Sequence, residues 1–263
     1  LIAPAGASIV IGLPVVVLIS DSVAWQAAFL VFAALNLLAL AVTARVLPSA
    51  APASSRGRPL LEHYRESYSD VLGKRVVLFV LAAAVLSAAV WNGAVTYAGA
   101  FFESRLAPSG VGLAALFLGL GMAYVAGGGL ATVGARRVQP RTIAVWSTAA
   151  AVVLPVAIVS STGIVALCIA STLAFAGTRA PGIAALNNIL FDLVSGAPGT
   201  AVSVYGVVAA SGAIIGAALG GVAISLQGYL GMGTLFSGLA LASLVFLVVP
   251  WTGRTEAVLE PAD

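Results

Sequence analysis

Of the 263 residues, 61% are hydrophobic and only 8% are charged, twelve Lys and Arg against nine Asp and Glu. A water-soluble domain carries about 25% charged residues, so a mean hydropathy of +1.11 excludes a cytosolic enzyme, a secreted disulfide-stapled domain and a disordered tail. Lipid is the main solvent.

Spans follow from the spacing of charges, because an ionised side chain at the bilayer centre is costly. Twenty-three uncharged residues separate Asp21 from Arg45, and 27 separate Arg75 from Glu103. Each run suits one helix of about 20 residues. The 37 residues Thr142 to Thr178 are too many for one span, and Ser160-Ser-Thr-Gly163 supplies the turn chemistry to split them. The 61 residues Leu193 to Gly253 divide at Leu226-Gln-Gly228. With the opening stretch, eight transmembrane helices are expected, at 1–20, 23–46, 76–101, 110–134, 142–160, 163–190, 199–226 and 229–250. Uncharged windows of this length argue against a β-barrel, whose strands alternate polar and apolar residues. The fold class expected is an all-α integral membrane protein.

Basic residues set the orientation. The connection 45–75 carries Arg45, Arg56, Arg58, Arg65, Lys74 and Arg75; the loop after the fourth span carries Arg136, Arg137 and Arg141; the tail carries Arg254. The alternate connections hold Arg105 alone. The basic loops and both chain ends are therefore expected on the cytoplasmic side, and the pI of 9.4 reflects topology, with no nucleic-acid partner. Within 45–75, Pro48 to Ser55 reads as a flexible linker, and Leu60, Leu61, Tyr64, Tyr68, Val71 and Leu72 recur at helical spacing, which predicts an amphipathic helix on the membrane face. A plain solvated linker is the alternative. The expected division is 1–46, the last two helices of one bundle; 47–75, the cytoplasmic linker; 76–252, a complete six-helix bundle; and 253–263, a cytoplasmic tail.

Gly12-Leu-Pro14 followed by Trp25-Gln-Ala-Ala-Phe29 lies loosely over Gly220-Gly221 followed by Tyr229 and Phe236, an offset of about six spans, as in transporters built from parallel repeats. Two full halves need four more helices before Leu1, and an N-terminally truncated chain is expected, with those four helices as its missing partner. The same segment resembles the helix-five pattern of the major facilitator superfamily, with Gln26 where that pattern has arginine. Thr96-Tyr-Ala-Gly-Ala-Phe101, Gly110 and the glycine-rich run Gly119–Gly134 into Ala135-Arg136-Arg137 resemble its helices seven and eight. Phe175-Ala-Gly177 through Pro181 to Asp192, then Pro198-Gly-Thr-Ala201, resembles its tenth helix and the entry to the eleventh. The likeness runs from the fifth helix to the end, nearest the drug and sugar efflux permeases. Gly134-Ala-Arg136-Arg137 lacks the acidic residue common in the family's basic loop. The resemblance implies alternating access driven by an ion gradient, of protons, with no cofactor, and export of a small amphiphilic solute, a drug or a sugar, from a bacterial cell. A non-transporting scaffold or an inactive truncated transporter is the alternative.

Several residues could line the route. Arg179 is the one charge well inside a span. From a helix start near Gly163 it falls in the cytoplasmic third, either facing a cavity or snorkelling to phosphate; Pro181 disturbs the ladder beside it, and Asn187 and Asn188 follow. Trp91, Asn92, Thr96 and Tyr97 form a polar–aromatic cluster, with Asn92 and Thr96 on one face and the Asn92 amide expected to point into the bundle. Tyr124 and Tyr205 are weaker candidates. Gly212, Gly216 and Gly220 share a helix face and permit close backbone approach, as a static or a moving seam; Gly12 and Pro14 belong to the same packing and gating group. Gly127-Gly-Gly129 is a packing or hinge segment. Trp25, Trp146 and Trp251 read as interfacial or packing residues. One cysteine, Cys168, and one histidine, His63, exclude a disulfide, a thiolate cluster and any site needing two imidazoles. The sequence holds no P-loop, HExxH or GxSxG, and Asp21 and Asp192 fall at opposite faces, so neither an enzyme nor a metal site is expected.

Overall fold

The computed structural model describes residues 8–46, 72–134, 137–194 and 198–252. The linker and amphipathic helix placed on 47–72 lie outside the described residues except for Leu72, as do His63, Arg136 and the tail. A short π-helical stretch, Ser8–Gly12, leads into α1 (Leu13–Ser22); α2 (Trp25–Val46), α3 (Arg75–Leu106), α4 (Gly110–Gly134), α5 (Pro140–Ser160), α6 (Val165–Leu193) and α7 (Pro198–Thr252) follow. Among the described residues there is no strand. Six helices, α2 to α7, are long and apolar enough to cross a membrane, and the apolar helix Val10–Ser22 is shorter. The expected eight are not found as eight separate helices. Of the first span, the described α-helix is the ten residues of α1, with Pro14 in its first turn, and α7 is two helices that meet at Gly228, whose φ of 65° is open to glycine. Its arms are 198–227 and 229–252.

The breaks have local causes. Ala107 takes the left-handed conformation and its N–H closes α3 on the Glu103 carbonyl at 3.2 Å. Ser109 Oγ accepts the Gly112 N–H at 3.2 Å and caps α4. The Asp21 carboxylate lies against Gly110, where the positive end of the α4 dipole favours it. A tight turn carries the chain from α5 to α6, with the Ile164 N–H on the Ser161 carbonyl at 2.9 Å. At the other end, Lys74 Nζ donates to the Leu193 carbonyl at 2.9 Å, placing a cation on the C-terminus of α6.

Packing follows from small residues. α3 lies along α7, and α4, α5 and α6 complete the layer around them. A Cβ on Gly212 would sit 2.5 Å from the Val85 carbonyl; one on Gly216 would collide with the Ala89 carbonyl; one on Gly220 would meet Tyr97 at 2.7 Å and Phe236 at 3.1 Å. Gly212 and Gly216 therefore bring two backbones together, while Gly220 makes room for the Tyr97 and Phe236 rings. A second seam joins the π-helical stretch before α1 to α4, where a Cβ on Gly121 would lie 2.7 Å from the Val10 backbone. Gly12 is not at such a contact, its nearest neighbour being Phe32 at 4.0 Å.

Candidate functional site

The centre of the bundle is built on α6. Its 18-residue window has a mean hydropathy of 1.2, the lowest of the six, because Ser171, Thr172, Thr178, Arg179, Asn187 and Asn188 interrupt its apolar sequence. Arg179 lies midway between the helix ends Val165 and Leu193. It is 1% exposed, so the side chain turns into the bundle and does not snorkel. Nη2 donates to the Ser87 hydroxyl and, at 3.2 Å, to the Ser87 carbonyl, both on α3. Nε has no hydrogen-bond partner. Tyr205 on α7 and Tyr124 on α4 are its electrostatic neighbours, and the Asn187 side chain lies beside the Tyr205 hydroxyl while its amide donates to the Ile183 carbonyl at 3.0 Å. Among the described residues no carboxylate pairs with Arg179.

Apolar layers close this polar level above and below. One turn toward the 106/165 end, Trp91 stacks on Tyr124, with ring centroids 5.2 Å apart and planes at 25°, and meets Phe175 at 5.8 Å. Ser87 and Trp91 are four apart on α3, as Phe175 and Arg179 are on α6, so each helix contributes one rung to each level. Beyond the rings lies a void of about 50 Å³ bordered by Leu120, Thr172, Met232 and Phe236. Toward the 75/193 end, Val80, Ala83, Ala84, Ala185, Leu186 and Ile189 form an aliphatic plug.

Pro181 acts on the backbone here. It cannot donate to the Gly177 carbonyl, and that oxygen faces Gly127 of α4, where any Cβ would collide with it. The next carbonyl, Thr178, accepts from Ser147 Oγ of α5 at 2.5 Å, and Gly182 leaves room for that hydroxyl. Gly127 is thus a close-packing position. The α6 backbone is held at the level of Arg179 from both α4 and α5.

The other sequence candidates lie elsewhere. The cluster at 91–97 divides: Trp91 joins the aromatic layer, whereas the half-buried Asn92 donates to Ala88 on its own helix at 2.9 Å and Thr96, exposed, donates to Asn92 at 2.7 Å. The Asn92 amide therefore finds its partner within α3 and not across the bundle. Tyr97 donates to the Ala217 carbonyl of α7 at 2.6 Å, at the glycine seam. Asn188 borders a cleft with Pro181, Ala184 and Thr132. Pro14 sits in the first turn of α1. Arg137 is exposed and Arg141 half-buried at the start of α5, away from the polar level. The structure thus brings together Arg179, Tyr124, Tyr205 and Asn187, and leaves Asn92, Thr96 and the basic loop apart. Ser87 is the residue that sequence reasoning passed over. It is the single hydroxyl between Val76 and Val90, and a lone serine in an alanine–valine run is the signal that could have found it. Among the described residues no three His, Cys, Asp or Glu side chains come together to hold a metal.

A model of the Major Facilitator Superfamily matches residues 1–186. The chain belongs to the major facilitator superfamily. No curated protein matches it. Membership and the apolar helices make it a multi-pass membrane protein of a family of secondary transporters that move small solutes. In a major facilitator chain the α6 arginine is an ionisable group at mid-bundle, held at a level of hydroxyls and closed by apolar layers on both sides.

Proposed function

We propose that the protein exports a small amphiphilic solute across the cytoplasmic membrane by alternating access, coupled to a proton gradient, with the Arg179 level on the solute's path. The single observation that carries this reading is the buried guanidinium at the midpoint of α6. An ionisable group inside a membrane bundle is expensive and is read by default as functional, and nothing among the described residues neutralises this one. Small-residue seams at Gly212, Gly216 and Gly220, and at Gly127 against Gly177, support movement of whole helices, because close-packed backbones carry few side chains that must repack when helices slide. The cargo's polar group would meet Arg179, Tyr124, Tyr205 and Asn187, and the lipid bilayer is the other partner.

The test is dye retention. Cells carrying the protein should hold less of at least one among neutral, anionic and cationic xanthene dyes than cells without it, and nigericin, which collapses the proton gradient, should erase the difference. Equal retention of every dye would overturn export, and a difference that survives nigericin would overturn proton coupling. The orientation has its own check. A cysteine replacing Gln139 should label from the cytoplasm and one replacing Ser161 from outside.

A further inference from the structure

The Arg179 level holds more hydrogen-bond donors than acceptors. A guanidinium offers five N–H donors and no acceptor. Among the described residues Nη2 donates to the carbonyl and hydroxyl of Ser87, and Nε, buried, has no partner. Tyr124 and Tyr205 bring two further O–H groups within electrostatic reach, and Asn187, beside the Tyr205 hydroxyl, donates its Nδ2 to Ile183. The aromatic layer borders the level on one side and the aliphatic plug on the other. An unmatched buried charge in such surroundings costs more than the hydrogen bonds around it return.

The chemistry of what would complete the level can be read from that deficit. A carboxylate is acceptor-only and flat, and its two oxygens match the guanidinium fork. A cationic solute would place a second positive charge beside the first. A neutral sugar would bring as many donors as acceptors and leave the charge unmatched. The adjoining Trp91, Tyr124 and Phe175 rings, all buried, and the void of about 50 Å³ beyond them suit a flat apolar body one turn from the charged end.

We infer that Arg179 is the docking point for the carboxylate of an amphiphilic organic anion, with Tyr124 and Tyr205 as flanking hydroxyl donors and the Trp91–Phe175 layer against the apolar part. As a statement about cargo, this rests on the transport reading; as a statement about binding, it stands without it. The Trp91–Tyr124 stack borders the level on this side and must part for the anion to enter past it.

Two xanthene dyes of similar shape and opposite charge separate the possibilities: fluorescein, an anion with a carboxylate, and rhodamine 123, a cation. Binding is read by fluorescence anisotropy on the purified protein in discs of phosphatidylcholine, which has no net charge. Fluorescein should bind at least about tenfold tighter than rhodamine 123, the factor that one charge-assisted hydrogen bond provides. Arg179→Gln should abolish that preference. Arg179→Lys, which keeps the charge and loses the fork, should keep part of it. Tyr205→Phe removes one hydroxyl without disturbing the centre, and should weaken fluorescein by several-fold with rhodamine unchanged; it serves even if the arginine variants fail to fold. No fluorescein binding, equal binding of the two dyes, or unchanged binding by both Arg179→Gln and Tyr205→Phe would overturn the inference. Fluorescein bound while none of the dyes is carried across vesicles would leave the anion site standing and remove the transport reading. Rhodamine carried and fluorescein neither bound nor carried would do the reverse.

Discussion

Helices α2 and α6 are opposites. The best window of α2 has a mean hydropathy of 2.3 and only 6% of it is buried, whereas that of α6 has 1.2 and 39% is buried. In water the more apolar helix would be the inner one. Here Trp25, Phe29, Leu30, Leu37 and Leu40 of α2 are all more than half exposed, while Arg179 of α6 is 1% exposed. Lipid tails solvate leucine as well as a protein core does, so apolarity gives a helix no reason to be buried. Polar groups do have a reason, because only other helices can supply their partners. Between these two helices exposure follows hydropathy, whereas α3, with a mean hydropathy of 2.1, is 56% buried; buried polar groups, more than a loss of apolarity, mark the interior.

The sharpest way to break that contrast is to make α6 resemble α2. Arg179→Leu combined with Ser87→Ala removes the buried charge together with its acceptor. Replacing a buried charged group and its partner by apolar residues of similar size is often neutral or stabilising, by about 1–4 kcal/mol. The double variant should insert and unfold at an unchanged or higher temperature while solute movement falls to background. Loss of stability in step with transport would make Arg179 a structural residue. Arg179→Ala alone leaves a gap and an unanswered Ser87, and should lose transport as fully while still inserting.

The glycine seam comes next. Gly216→Leu drives a side chain into the Ala89 carbonyl, and overpacking typically costs about 1–3 kcal/mol. Val207, 67% exposed, is the control, since its neighbour Val208 packs against the buried clusters of α3 and α6. Detergent unfolding should shift for Gly216→Leu and stay put for Val207→Leu. Equal shifts would remove the case for a special face on α7. A smaller effect is expected at Ser147→Ala, which takes the hydroxyl from the Thr178 carbonyl and should cost about 1 kcal/mol, read from the same unfolding curves.

How much of this was legible in the sequence depended on whether the information lay within one helix or between helices. Breaks at Ser161 and Gly228 could be read, because turn residues act locally. Gly212, Gly216 and Gly220 could be read as a seam, because an i, i+4, i+8 repeat falls on one face whatever that face meets. Arg179 stood out as a lone charge. Its partners could not be read: Ser87, Tyr124 and Tyr205 come from three other helices, and no pattern within α6 says which neighbour a side chain reaches. Neighbours in sequence misled for the same reason. Trp91, Asn92 and Tyr97 read as one cluster, yet on a helix they point in different directions, toward Tyr124, toward their own backbone and toward Ala217 respectively.

The smallest expected effect is the one that tests the contrast from the α2 side. Leu37 is 66% exposed and α2 touches the rest of the described chain chiefly through α1. Leu37→Ala at this site removes side-chain atoms that face lipid both in the folded bundle and in separated membrane-inserted helices, so no transfer out of water is lost. The change in unfolding free energy should stay within about 0.5 kcal/mol, the range of ordinary surface substitutions. The same truncation at Leu186, 2% exposed within the α6 plug, should cost about 2–5 kcal/mol, because it leaves a cavity that neighbours cannot fill. A Leu37→Ala cost approaching that of Leu186→Ala would mean that this face of α2 is covered by protein in the membrane. Hydropathy would then no longer report lipid contact there, and α2 would have to be counted among the packed helices.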